Sequence, residues 1–185
     1  ISLGASTAVL DRAGNTLLMR TLVSTRNADI VQTVGIVKIL LAHGEEITGR
    51  MREEVERIGR DFEFHRLAFD PGSVDATDAA LGELYQLFAV EPVARRKMHG
   101  GTAPIVVSDG PWQRQHEELW DLLVPSSSVA RTVQGEVIRI TGKVNDEMHR
   151  NGGANWDREY RAMVDAFAGY VTQGLPLSAE LLAEV

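Results

Sequence analysis

The sequence predicts a mainly α-helical protein, a helical bundle of five or six helices with a small N-terminal β-hairpin. Three observations lead to this fold class. Apolar residues recur at steps of three and four in several long segments, as they do on one face of an α-helix. Short breaks rich in glycine and proline separate these segments, which is typical of bundles. The 185 residues are 44% hydrophobic and 24% charged, which is ample material for a core.

The N-terminal hairpin is predicted from two apolar segments that are joined by turn residues. STAVLD at 6–11 and TLLMRTLV at 16–23 have the composition of strands, and RAGN at 12–15 supplies the turn. Two strands alone are only marginally stable, so the hairpin must pack on helices or pair with a further strand. APIVV at 103–107 is the candidate for that third strand.

Three helices are predicted in the first half of the chain. The first runs from a cap at Asn27 to about His43, and we expect it to be buried because it is apolar on nearly every face. The second follows Gly44, and the third occupies about 75–88. The apolar side of the second helix is formed by Ile47, Met51, Val55, Ile58, Phe62, His65 and Phe69.

Three further helices are predicted in the second half, where PSSS and NGGAN separate them. The first of them begins at Pro111, and the last is capped by Asn155. The middle helix has an apolar stripe formed by Val129, Val133, Val137, Ile140, Val144 and Met148. A glycine-rich loop or linker at 100–111 separates residues 1–99 from residues 112–185, and the sequence leaves open whether these halves form one domain or two.

Composition excludes several classes of function. The chain has no cysteine, so disulfides, thiolate metal sites and cysteine nucleophiles are ruled out. A net charge of −7 disfavours broad nucleic-acid binding. The most apolar segment is too short to span a bilayer, and the first residues lack the pattern of a signal peptide. We therefore expect a soluble, cytoplasmic protein that does not bind membranes.

The segment RDFEFH at 60–65 places a histidine five residues after an arginine. These six residues resemble the motif of the HEPN family of helical ribonucleases. The resemblance implies metal-independent RNA cleavage at a site shared by two subunits, with His65 in acid–base chemistry and Arg60 stabilising phosphate charge. The alternative is a helix surface on which Arg60 pairs with Glu56 or Glu63, with His65 in the core. The apolar stripe favours this alternative.

A second candidate site comprises Trp112, His116 and Trp120, which share one side of a predicted helix. It would be an aromatic-walled pocket for a small molecule, with a titrating histidine inside. The alternative, which we favour, is a histidine packed on an amphipathic helix. The paired Glu-x-x-His steps of a di-iron protein are missing, so we expect no metal site and no cofactor.

Residues 119–157 contain three further motifs, LVP, VQGEVIR and NGGANWD. Together they are similar to a segment that recurs in uncharacterised bacterial proteins, and this resemblance implies no activity. We expect Gln134, Glu136 and Arg139 to form a polar face opposite the valine stripe. NGGANWD is expected to form a turn and helix cap, or alternatively an anion site at a helix N-terminus.

A basic cluster, formed by Arg95, Arg96, Lys97 and His99, precedes the central loop. It would bind an anion or RNA, or it would complement the dipole at the end of a short helix, which is the simpler interpretation.

The function that these observations favour is a non-enzymatic helical module that acts through protein–protein contacts and forms a homo-oligomer. No convincing catalytic set is present, whereas apolar stripes carry more aromatic and methionine side chains than one core needs. The hairpin also offers strand edges that can pair between subunits. The alternatives are the HEPN-like ribonuclease and the small-molecule binding protein.

Overall fold

The computed structural model describes residues 9–173, and these form seven α-helices and no β-strand. The mainly helical fold class is therefore confirmed. The chain divides into two compact units, and the boundary lies between Arg95 and Arg96. None of the helices in the described part of the chain has the length and apolar character that a membrane span requires.

The first unit contains four α-helices: α1 Leu17–Ser24, α2 Ile30–Ala42, α3 Gly49–His65 and α4 Val74–Phe88. Thr16 and Thr48 cap α1 and α3, because each side chain accepts a hydrogen bond from a backbone N–H in the first turn. Short 3₁₀ turns at Asn27–Asp29 and Arg66–Ala68 lead into α2 and out of α3. Asn27 is thus inside a 3₁₀ turn and is not the cap of α2.

The core of the first unit lies between these helices. Helix α1 packs on α2 and α3, and α4 packs on the same two helices. Large side chains that are completely or almost completely buried fill the interior: Leu18, Leu22, Ile30, Val37, Val55, Ile58, Phe62, Leu84 and Phe88. Since this cluster is contiguous and well filled, it supplies the main stability of the unit.

The predicted β-hairpin is wrong for its second strand, because residues 17–24 form helix α1. The turn itself forms: Asp11 accepts hydrogen bonds from the backbone N–H of Ala13 and from Asn15. Thr16 then starts a helix, since Leu18 and Leu22 lie four residues apart and both enter the core. Most of the first predicted strand lies outside the described residues. Helix α1 also explains why residues 9–173 contain seven helices and not five or six.

The second unit contains three α-helices: α5 Trp112–Leu123, α6 Val133–His149 and α7 Arg158–Val171. Helix α6 packs on both α5 and α7. Thr132 caps α6 by accepting from the N–H of Gly135, and Asp157 caps α7 by accepting from the N–H of Tyr160. Among the described residues of this unit, the fully buried aliphatic side chains are Leu123, Val124 and Ile140.

The apolar stripe predicted for α6 is confirmed only in part: Ile140 is buried, and Val133, Val137 and Val144 are half-buried. Val129 and Met148, at its two ends, are mostly exposed. The face that is buried carries Glu136, Arg139 and Glu147 instead. These polar groups are tolerated inside because they form hydrogen bonds with each other or with neighbouring loops, a possibility that hydrophobic periodicity does not reveal.

Candidate functional site

Arg60 and His65 both lie on the exposed surface of helix α3. Nη1 of Arg60 lies 3.4 Å from a carboxylate oxygen of Glu56, which is one of the two ion-pair partners predicted for it. His65 is not in the core, which corrects the interpretation that the apolar stripe suggested; its Nδ1 lies 2.8 Å from the carbonyl oxygen of Asp61. Residues five apart point about 140° away from each other around a helix. Within one copy, therefore, the two side chains do not converge on one phosphate.

The three aromatic residues of the second predicted site do not enclose a pocket. Trp112 and His116 are exposed on α5, while Trp120 is half-buried. The rings of His116 and Trp120 are 6.2 Å apart. Trp120 packs closely over α6, because a Cβ added to Gly142 would lie 2.3 Å from its ring. Trp120 therefore holds two helices together, and the other two side chains face solvent.

The basic segment at residues 92–98 does not form a helix, but Arg96 does complement a helix dipole. Its guanidinium donates to the carbonyl oxygens of Asp121 at 2.8 Å, Trp120 at 3.1 Å and Val124 at 2.5 Å. These carbonyls are at the C-terminal end of α5, where a cation is favoured. The cluster thus contributes to the packing of the second unit through Arg96.

Glu136 and Arg139, from the VQGEVIR motif, form a buried ion pair on one turn of α6. Arg139 donates from Nε at 2.8 Å and from Nη2 at 2.7 Å to the two carboxylate oxygens. Glu136 also accepts from the backbone N–H of Ala130. Burial alone would raise the pKa of Glu136, but the bonds from Arg139 and Ala130 outweigh it and lower the pKa. Of the three residues predicted to form an outer polar face, Glu136 and Arg139 are therefore buried against each other. Gln134 is exposed.

The NGGANWD segment folds around the buried carboxylate of Glu147. Its oxygens accept from the side chain of Asn151 and from both the backbone N–H and the side chain of Asn155, at 2.7 to 3.2 Å. Gly152 and Gly153 have φ of 64° and 78°, which side chains other than glycine rarely adopt. Since these donors bind Glu147, and Asp157 caps α7, the segment is a turn and cap.

A charged cluster joins α3 to α4 in the first unit. Arg66 donates to both carboxylate oxygens of Glu63 and to both of Asp78, and Arg95 also reaches Asp78 at 2.8 Å. The Arg66 side chain is 13% exposed and that of Glu63 is 7% exposed. The positive charges of Arg66 and Arg95 equal the negative charges of Glu63 and Asp78 in number. We therefore interpret the cluster as a structural contact and not as a site for a charged substrate.

The tightest contact between α3 and α4 is made by Gly59 and Tyr85. A Cβ on Gly59 would lie 2.0 Å from the Tyr85 hydroxyl oxygen and 2.9 Å from Cγ2 of Val93. The hydroxyl group is buried without a hydrogen bond of ordinary geometry, although the backbone of Val93 is near. Burial raises the pKa of Tyr85, so the side chain stays neutral.

Histidine and carboxylate side chains within residues 9–173 form no group of three or more that is suited to hold a metal ion.

The most unusual surface of the first unit is the outer side of α2. Val31, Ile36 and Ile39 are 46%, 47% and 52% exposed, and Gly35 lies between them. We call these four residues the α2 face. The opposite side of the same helix is buried in the core, so α2 carries apolar residues on both sides, with the exposed Gln32 and Lys38 beside the α2 face. This corrects the expectation of a buried helix, and it identifies an apolar surface that a folded monomer does not need.

The α2 face was missed because uniform hydrophobicity was interpreted as burial. A signal was nevertheless present in the sequence: Gly35 lies in the middle of a helix, where glycine is unfavourable by about 0.5–1 kcal/mol relative to alanine. Close approach of another group is one physical reason for a glycine at such a position.

No protein-family model, curated protein or solved structure matches this chain.

Proposed function

We propose that this protein is a self-associating helical module, in which the α2 face of one copy packs against the α2 face of a second copy. The observation that carries the proposal is the combination of an exposed glycine with three exposed β-branched apolar residues on one helix side. Contacts between proteins are enriched in such apolar surface at their centre.

Gly35 is not explained by packing inside one copy. A Cβ added to this residue would meet no atom within 4 Å, so alanine would fit the protomer without strain. Alanine would also favour the helix. A second helix lying across Gly35 provides a reason for glycine, because the missing side chain lets two backbones approach closely.

The spacing of the α2 face suits a two-fold symmetric contact. Val31 and Ile39 lie four residues before and four residues after Gly35, on the same side of the helix. When two copies pack antiparallel with Gly35 at the symmetry axis, Val31 of each copy meets Ile39 of the other. Such an isologous contact closes on itself and forms a dimer.

Charge supports a second copy as the occupant. None of the four residues of the α2 face is charged, so like charges do not oppose pairing. The flanking Lys38 forms an ion pair with Glu83 of α4, which neutralises it. The α2 face therefore presents an uncharged surface to its own copy, in which the exposed Gln32 is the polar neighbour.

The size of the contact sets the expected affinity. Helix α2 has 13 residues and is about 20 Å long. One pair of such helices buries less than the total of about 1,600 Å² that is typical of stable complexes. We therefore expect a dimer that forms and dissociates with concentration, at micromolar or weaker affinity.

The proposal predicts opposite effects of Gly35→Ala on the monomer and on the dimer. The variant should be more stable as a monomer by about 0.5–1 kcal/mol, because alanine favours the helix. Its dimer should dissociate about tenfold more readily or more, since the methyl groups hold the two helices apart and remove dispersion contacts. Urea denaturation measures the first effect, and sedimentation equilibrium over a range of concentrations measures the second.

Gly169→Ala is the matched control, because Gly169 is an exposed glycine in α7 whose added Cβ would also meet nothing within 4 Å. It should leave self-association unchanged. Ile39→Lys should abolish the dimer without unfolding the protein, since this side chain is half exposed. A wild-type protein that remains monomeric at every concentration, or a dimer that tolerates both α2 substitutions, would overturn the proposal.

A further inference from the structure

Residues 103–107 of the second unit form a segment outside any helix that is held by hydrogen bonds at both ends; we call it the strap. Before it, the ring of His99 donates from Nε2 to the carbonyl oxygen of Ala103 at 2.9 Å and accepts at Nδ1 from the N–H of Gly101 at 3.0 Å. After it, the backbone and hydroxyl groups of Ser108 both donate to Glu118 of α5 at 3.1 Å. The strap is therefore held in place before any partner arrives.

A pocket of about 760 Å³ lies beside the strap. Ile105 and Val107 line it from the strap, and Leu119 of α5 with Ile138 of α6 line it from the helices. Val106, between the two strap residues, is 74% exposed. This alternation of side chains is that of a β-strand, although no strand pairs with the strap in the described part of the chain.

The backbone of the strap is available for pairing. The N–H and C=O groups of Ile105, Val106 and Val107 form no hydrogen bond with any other described residue. Such groups are strong donors and acceptors. Because successive residues of an extended segment direct them to opposite sides, Ile105 and Val107 present theirs along one edge, which is equivalent to the edge of a β-sheet, and Val106 presents its own along the other. A peptide that paired with this edge would project every second side chain into the pocket beside Ile105 and Val107.

The charge of the pocket indicates which charged group a bound peptide would have. Among the lining residues, all of which are described, Arg131 is the one arginine, and no lysine, aspartate or glutamate lines the pocket. Arg131 is exposed just before the start of α6, where the helix dipole also favours an anion. A carboxylate at the end of the peptide would therefore be attracted to this side of the pocket.

We propose that the strap and its pocket bind an extended peptide segment of a partner protein by strand addition. The peptide has apolar residues at alternate positions, which enter the pocket, and an acidic side chain or a terminal carboxylate that pairs with Arg131. This site lies within the second unit and is independent of the α2 face.

The test is a selection from a library of random octapeptides with free carboxyl termini, displayed on phage, against the full chain. Enriched peptides should alternate apolar with polar residues and carry a carboxylate. Synthetic copies, measured by fluorescence polarisation, should bind Val107→Pro at least about tenfold more weakly than the wild type, because proline removes the Val107 N–H from the edge that Ile105 and Val107 share. Arg131→Gln should weaken binding by about fivefold and reduce its dependence on salt.

Val107→Thr is the matched control, since it keeps the N–H and nearly the same side-chain shape and should bind as the wild type does. A peptide N-methylated at alternate residues should not bind the wild-type protein, and this result does not depend on how any variant folds. Failure to enrich peptides, or equal binding to Val107→Pro, would overturn the proposal. So would a change in the sedimentation of the protein alone on Val107→Pro, because a second copy would then occupy the edge.

Discussion

Replacing Arg66 with methionine is expected to destabilise the first unit by about 3–5 kcal/mol. The substitution keeps most of the side-chain volume but removes the guanidinium that contacts both Glu63 and Asp78. It also removes a cation that lies 4.5 Å from the centre of the Phe62 ring. Because Glu63 is buried, its negative charge would then lack its main compensation. Urea denaturation followed by far-UV circular dichroism measures the loss.

A double variant separates the effect of charge from that of packing. Arg66→Met combined with Glu63→Leu should recover much of the lost stability, since an apolar pair of similar volume needs no compensation. Asp78 keeps its contact with Arg95 in this variant. If the double variant is no more stable than Arg66→Met alone, the ion pair is not the origin of the effect.

The same substitution should change how stability depends on pH. The hydrogen bond from Arg66 holds the pKa of Asp78 below its usual value, against the opposing effect of burial. A lowered pKa stabilises the fold above the ordinary value of about 3.9, and this contribution is lost as the pH falls through the lowered value. In Arg66→Met the pKa of Asp78 should rise, so stability should fall less steeply below about pH 4 than it does in the wild type.

Gly59→Ala is expected to destabilise the first unit by about 2–3 kcal/mol, because the new methyl group would overlap the Tyr85 hydroxyl group and force α3 and α4 apart. Gly82→Ala in α4 is the matched control: its Cβ meets nothing within 4 Å, so it should be neutral or slightly stabilising. Urea denaturation followed by far-UV circular dichroism measures the free energy of unfolding of both variants. Equal stability of the two alanine variants would contradict the close packing of α3 on α4.

Tyr85→Phe provides an independent check of this contact. The hydroxyl group is buried without a hydrogen bond of ordinary geometry, so its removal should leave stability unchanged or raise it by up to about 1 kcal/mol. In the double variant with Gly59→Ala, much of the overlap disappears. We therefore expect a coupling of about 1–2 kcal/mol between the two positions.

Local patterns in the sequence predicted the helices of the first unit well where one face is clearly apolar. In α3, residues Met51, Val55, Ile58 and Phe62 enter the core as their spacing predicted, and α4 follows the same rule. His65 shares that spacing but lies at the end of the helix, where the chain turns into a 3₁₀ segment and the side chain becomes exposed. Periodicity alone does not reveal where burial ends.

The remaining errors have physical causes that depend on tertiary contacts. Residues 17–24 suit a strand by composition, yet a threonine cap and two buried leucines select a helix. On α6, Glu136 and Glu147 are buried because loops supply donors to them, which a hydrophobicity pattern cannot show. The α2 face shows the opposite error, since apolar side chains on the outer side of a helix were assigned to the interior.

The most direct test of self-association through the α2 face uses the absence of cysteine from these 185 residues. Val31→Cys and Ile39→Cys each place one thiol on the exposed side of α2. In the proposed antiparallel contact, position 31 of one copy should lie next to position 39 of the other, and a disulfide forms only if their Cα atoms come within about 4.4–6.8 Å of each other. Each variant alone should therefore remain uncrosslinked under mild oxidation, whereas an equal mixture should form a disulfide-linked heterodimer. A mixture that forms no more crosslink than the separate variants would contradict the proposed contact.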